Sequence, residues 1–181
     1  ALPISGSPYS VQTKRGCALK CSYCVYNNIE GHAYRLREPR EVVDEIEEAV
    51  LGHGVKAFDF VDSTFNLPLS HARSLCEALV ERKLPAHYST MGLNPASVTP
   101  ELVRILKAAG FKNVMCTPES ASETTLRTLN KGFQKHAVIR AAKALREAGM
   151  PTYWFFMLGA PDETMETVRE TLAFCEECIP P

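Results

Sequence analysis

Apolar residues return at steps of three and four in five stretches of the chain: Val42, Val43, Ile46, Ala49, Val50; Leu75, Cys76, Leu79, Val80; Leu102, Ile105, Leu106, Ala109; Val138, Ala141, Ala142, Leu145; and Met165, Val168, Leu172, Cys175. This spacing lines each set along one side of a helix, so five amphipathic helices are predicted. Pro39 and Pro100 suit first-turn positions, Ser70 and Thr99 are candidate N-caps, and Asp162 and Glu163 would favour the positive end of a helix dipole. Gly54, Gly110 and Gly149 mark the stops. Between the helices, β-branched and aromatic runs at 9–13, 55–61, 86–90, 111–117 and 152–158 read as mostly buried strands.

The passage from helix to strand repeats after Gly54, Gly110 and Gly149, the mark of one reused βα unit. Alternation at these lengths calls for a parallel sheet covered by helices, because a parallel crossover needs a helix-sized connection. In such folds chemistry gathers at the carboxyl ends of the strands. Here those ends are the segments opening at Arg15, Asp62, Met91, Pro118 and Gly159, all rich in polar groups or glycine.

Composition narrows the partners more than the fold. Of 181 residues, 45% are hydrophobic and 23% charged, an ordinary balance for one globular domain. A formal net charge of -1 gives no bulk attraction to nucleic acid or an anionic membrane, and neither is expected as a partner. The longest apolar run, Tyr153 to Leu158, is far short of the roughly 20 residues of a spanning helix. No basic segment leading into an apolar one opens the chain, so a cytoplasmic location is expected.

The seven cysteines change the picture. Their number is odd and three fall between positions 17 and 24, which suits a metal better than a disulfide scaffold. Cys17, Cys21 and Cys24 are close enough for one loop to bring three thiols together, and Lys14, Arg15 and Lys20 beside them would ease thiolate formation. Spacing alone leaves two centres open. One is an iron–sulfur cluster with an iron free of protein ligand; the other is a zinc ion held by the three cysteines and His32. The remaining cysteines read as packing: Cys175 and Cys178 on the last helix, Cys76 on a helical stripe, Cys116 within a strand. Trp154 and its aromatic neighbours read as sheet core. Asp59 and Asp62, three apart on one strand, face opposite ways and form no carboxylate pair. Arg35 and Arg37 fit a carboxylate or phosphate contact as well as a solvated pair, and of five scattered histidines His87 lies within a strand.

The pattern Cys-x3-Cys-x2-Cys, with the aromatic Tyr23 before the last cysteine, resembles the signature of the radical S-adenosylmethionine superfamily. The segments at 13–17, 61–68, 118–122 and 159–164 are similar to successive strand-end motifs of its cobalamin-associated branch. The resemblance implies an α/β fold, a partial (β/α) TIM-like barrel with five βα units present of an expected six. It makes 1–181 the radical core of a longer enzyme, lacking its cobalamin-binding and C-terminal regions. It further implies a 4Fe-4S cluster on Cys17, Cys21 and Cys24, S-adenosylmethionine chelated at the open iron, and reductive cleavage to a 5′-deoxyadenosyl radical. Tyr23, Glu119, Ser120 and Gly159 then fall to cofactor binding, Glu119 and Ser120 toward ribose and methionine, Gly159 toward adenine. Asp62 and Ser63 stand where the superfamily usually has Gly-Gly-Glu, which leaves Asp62 for the amino group. The usual outcome in this branch is methyl transfer to an unactivated carbon of a small molecule or peptide, with cobalamin and with flavodoxin or ferredoxin as electron donor.

Overall fold

A computed structural model describes residues 7–179. The chain ends at 1–6 and 180–181, on which the expectation of flanking regions turns, lie outside the described residues. The chain runs through β1 (Tyr9–Val11), β2 (Lys14–Arg15), α1 (Tyr26–Glu30) and β3 (Arg35–Leu36). It then alternates through α2 (Pro39–His53), β4 (Ala57–Phe60), α3 (Leu69–Arg82), β5 (His87–Thr90), α4 (Pro100–Ala108) and β6 (Val114–Glu119). Last come α5 (Glu123–Thr128), α6 (Lys135–Glu147), β7 (Thr152–Phe156) and α7 (Met165–Cys178).

Pairing is parallel from β1 to β4 to β5 and from β6 to β7. Parallel bridges Tyr88–Phe111 and Leu93–Cys116 join β5 to β6. Thus β1, β4, β5, β6 and β7 lie side by side in chain order, as the alternation predicted. The antiparallel pair β2–β3, Lys14 with Leu36 and Arg15 with Arg35, was not foreseen. Strands of two mostly charged residues carry no period to read.

The core forms because period and pleat agree. Helix α2 buries Val42, Val43, Ile46, Ala49 and Val50, the predicted stripe. In β4, Phe58 and Phe60 are buried while Ala57 and Asp59 are less so. The Phe60 ring lies 5.2 Å from Phe65, 5.6 Å from Phe111 and 5.9 Å from Tyr88, and burying each such side chain contributes roughly 1.5–3 kcal/mol. A second cluster forms around Phe174, with Trp154, Cys175 and Cys178 packed against it; Cys76 and Cys116 are fully buried in the main core. Packing therefore accounts for all four of these cysteines. Among the described residues, no helix is long and apolar enough to cross a membrane.

Several local expectations need correcting. Thr99 caps α4, its Oγ1 accepting from Leu102 N at 3.1 Å, but Ser70 caps nothing because α3 already begins at Leu69 behind Pro68. Asp162 and Glu163 stand outside α7, which Thr164 caps through reciprocal bonds with Thr167. Strand β7 is not mostly buried. Trp154 turns inward, but Tyr153 and Phe155 are 60% and 48% exposed. Among the described residues β7 pairs with β6 alone, which leaves its other edge unpaired.

Candidate functional site

The loop after β2 is built on one glycine. Gly16 has φ +87°, and a Cβ there would stand 2.0 Å from Ala33 O. Any side chain would therefore prise apart two backbones that the β2–β3 pair draws together. Behind this approach Cys17 N donates to Gly31 O at 3.1 Å, and Cys24 N closes a turn onto Cys21 O at 3.2 Å. The far side of the loop rests on the end of α5: Ser22 N donates to Leu129 O at 3.0 Å and Asn130 Nδ2 to Lys20 O at 2.6 Å.

Asp62, just past β4, anchors the approach to this loop. Its carboxylate accepts from Thr13 N (2.8 Å), Thr13 Oγ1 (2.6 Å), Lys14 N (3.2 Å) and Lys14 Nζ (3.2 Å). Lys14 Nζ also donates to Phe65 O at 3.0 Å, and both charged side chains are wholly buried. Burial pushes the Lys14 ammonium below its ordinary pKa, against the pull of Asp62. With both oxygens engaged, Asp62 holds the chain in place where it borders the cysteine cavity. Lys14 likewise engages Asp62 first, and its charge acts on Cys17 as well.

Cys17, Cys21 and Cys24 line a cavity of about 310 Å³ together with Tyr23, Glu119 and Lys131. Glu119 ends β6 with φ +69°, a strained turn for a residue with a side chain. Tyr23 donates its hydroxyl to Glu119 Oε1 at 3.0 Å, and Lys131 Nζ donates to the Tyr23 oxygen at 3.1 Å and to Thr117 O at 3.3 Å. Lys131 Nζ also stands 3.6 Å from Glu119 Oε1 and 5.4 Å from the Tyr23 ring centroid. Burial first, then the Glu119 carboxylate, lifts the Tyr23 phenol far above its usual pKa. Burial likewise raises the Cys21 thiol, and Lys131 opposes it. A second cation acting on the thiols is thus Lys131, which lies in a polar turn between Leu129 and Gly132 where no period or motif marks it. A larger cavity of about 620 Å³ lies across that turn and contains no cysteine.

Other predicted residues fall elsewhere. Ser120 is buried with its hydroxyl 3.1 Å from Thr171 Oγ1, accepting from Ser122 N at 3.0 Å. Gly159 does not line the cavity; its N–H donates to Glu163 Oε2 at 2.6 Å. Arg35 donates to Glu30 O at 2.8 Å, and Arg37 pairs with Glu45 at 2.7 Å. Asp59 accepts from Ser89 Oγ at 2.9 Å, and His87 is exposed.

The donor set distinguishes the two candidate centres. Among the described residues, no three His, Cys, Asp or Glu side chains converge on the position of a single metal ion, and His32 is exposed and outside the cavity. Three thiols lining one cavity can each bind a different iron of one cluster.

Comparison with known proteins shows the family. The Radical SAM superfamily profile matches residues 11–175. The anaerobic magnesium-protoporphyrin IX monomethyl ester cyclase of Cereibacter sphaeroides is 33% identical over 162 residues, covering 87% of this chain and 26% of its own. The tryptophan 2-C-methyltransferase of Streptomyces laurentii is 30% identical over 176 residues, covering 89% of this chain and 29% of its own. Among solved structures, the radical S-adenosylmethionine methyltransferase TsrM from Kitasatospora setae, with cobalamin and a 4Fe-4S cluster bound, superposes with a TM-score of 0.86. It is 30% identical and matches 94% of this chain and 32% of that one. The chain therefore spans less than a third of each of these relatives.

Proposed function

This chain belongs to the radical SAM superfamily, and on that premise we propose that Cys17, Cys21 and Cys24 hold a 4Fe-4S cluster whose remaining iron takes S-adenosylmethionine. The observation that carries this reading is one cavity holding the three thiols with Tyr23, Glu119 and Lys131. When bound there, the cluster supplies the electron that cleaves S-adenosylmethionine to a 5′-deoxyadenosyl radical. The chain's own residues bind and orient. Lys131 offsets the negative charge of three thiolates, and Tyr23 closes the cavity wall. Glu119, turned inward by its backbone, faces the hydroxyl donors of a ribose. Asp62 and Ser120 act behind the site, one fixing the loop and the other the turn after β6, and Gly159 stands on the adenine side.

We place this chain as the cytoplasmic radical core of a longer enzyme, five of six βα units of a partial barrel. The reaction we propose is methyl transfer to an unactivated carbon of a small molecule or peptide, with cobalamin bound by a region outside this chain and a flavodoxin or ferredoxin as electron donor. The short span of the matches, 26% and 29% of two relatives, supports a longer protein, and the cobalamin seen in TsrM supports the cofactor. The test is anaerobic reconstitution of the full-length protein. Brown cluster absorbance and 5′-deoxyadenosine formation with dithionite are expected, both lost on replacing any one of the three cysteines with alanine. Zinc at one per chain with iron absent would overturn it.

A further inference from the structure

Tyr34 carries a buried hydroxyl beside the cysteine loop that makes no hydrogen bond of full geometry among the described residues, with the Cys17 side chain and the Ala18 backbone as its polar neighbours. Its position is fixed by backbone. Arg15 pairs with Arg35 in the β2–β3 ladder, which by register sets Tyr34 opposite Gly16, the residue before Cys17. The same stretch is pressed onto the loop by the bond from Cys17 N to Gly31 O and by Ala33 O against Gly16. The phenol lies beside the Cys17 side chain; burial and then that neighbour push its pKa up to about 12. Cys17 is itself buried, only 6% exposed.

A buried hydroxyl left unpaired is costly, and native structures seldom keep one without a reason. A thiol is a weak acceptor, whereas a thiolate is a strong one. We propose that Tyr34 donates its O–H to the Cys17 sulfur when that sulfur ligates the cluster, and so raises the potential at which the cluster accepts its electron. The inference rests on the ligand assignment proposed above. Reduction adds a negative charge shared by iron and its sulfur ligands, so a donor aimed at one of them stabilises the reduced form more than the oxidised one. Tyr34 is a positioning residue: it touches a ligand and neither S-adenosylmethionine nor substrate. It complements Lys131, whose charge acts on Cys21.

The experiment compares the full-length wild type with Tyr34→Phe after anaerobic reconstitution, using redox titration followed by electron paramagnetic resonance of the reduced cluster. The variant is expected to load iron and sulfide as the wild type does and to bind S-adenosylmethionine equally. Its one-electron reduction equilibrium should become about tenfold less favourable, a fall of ~59 mV. An exchangeable proton coupled to the wild-type cluster should vanish from the variant's nuclear double-resonance spectrum. An unchanged potential with an unchanged proton coupling overturns the role of Tyr34. If Tyr34→Phe takes up no iron, fluorotyrosine at position 34 decides: its more acidic phenol should raise the potential, and no movement overturns the inference. A wild type that forms no cluster overturns the ligand assignment and this inference with it, whereas a wild-type signal with an unmoved variant overturns only the latter.

Discussion

The sheet around Phe60 and the loop from Gly16 to Tyr34 are held together by opposite means. Around Phe60, aromatic rings and aliphatic helix faces exclude water and fix one another's positions. From residue 18 to 34 no residue is fully buried, and α1 contributes none to any core. That loop keeps its shape through a glycine that permits close approach, hydrogen bonds to neighbouring loop ends, and the Lys14–Asp62 pair at its base. Apolar burial gives stability that needs no ligand, whereas a loop with so little buried surface gains most of its order from what it binds. The fold and the cofactor site should therefore fail separately.

The largest effect separates them from the side of the sheet. Phe60→Ala should cost about 3–5 kcal/mol through the cavity left among Phe65, Tyr88 and Phe111, read as a lower denaturant midpoint for the cluster-free protein. Gly16→Ala comes next. Its strain, about 1–3 kcal/mol, should stay in the loop: hydrogen exchange accelerates between 16 and 34 and iron uptake collapses, while the global melt barely moves. A melt lowered as far as by Phe60→Ala would show that loop and sheet are one unit. The smallest effect is that of Tyr23→Phe, which removes one donor to Glu119 and should leave both melt and iron content intact. Loss of that bond is expected to weaken S-adenosylmethionine binding by about 1 kcal/mol, roughly fivefold by calorimetry; unchanged affinity would mean the Tyr23–Glu119 contact has no part in binding.

The same contrast explains what the sequence disclosed. Helices α2, α4 and α6 and strand β4 were legible because burial writes itself into period, as Val42 to Val50 and Phe58 with Phe60 show. The three cysteines were legible by spacing, and the bearing of Glu119 by motif. Lys131, Tyr34 and the β2–β3 pair were not. Their roles come from chain crossings that join residues far apart, such as Lys131 to Tyr23 and Ser22 to Leu129, and such crossings leave no local mark. Asp62 was found, but its hydrogen-bond partners were not. Its motif position suggested a ligand contact, and only the four donors around its carboxylate show it to be a brace. Ser120 carries the same lesson, its hydroxyl turned toward Thr171.

Strand β7 has one further consequence. Thr152, Tyr153, Trp154, Phe155 and Phe156 carry no charge and no proline, and among the described residues one edge of the strand is unpaired and one face is open. Such an edge is where the sixth βα unit proposed above would continue the sheet. Strand β7 is accordingly the seam at which backbone hydrogen bonds would join this core to the rest of the proposed longer enzyme.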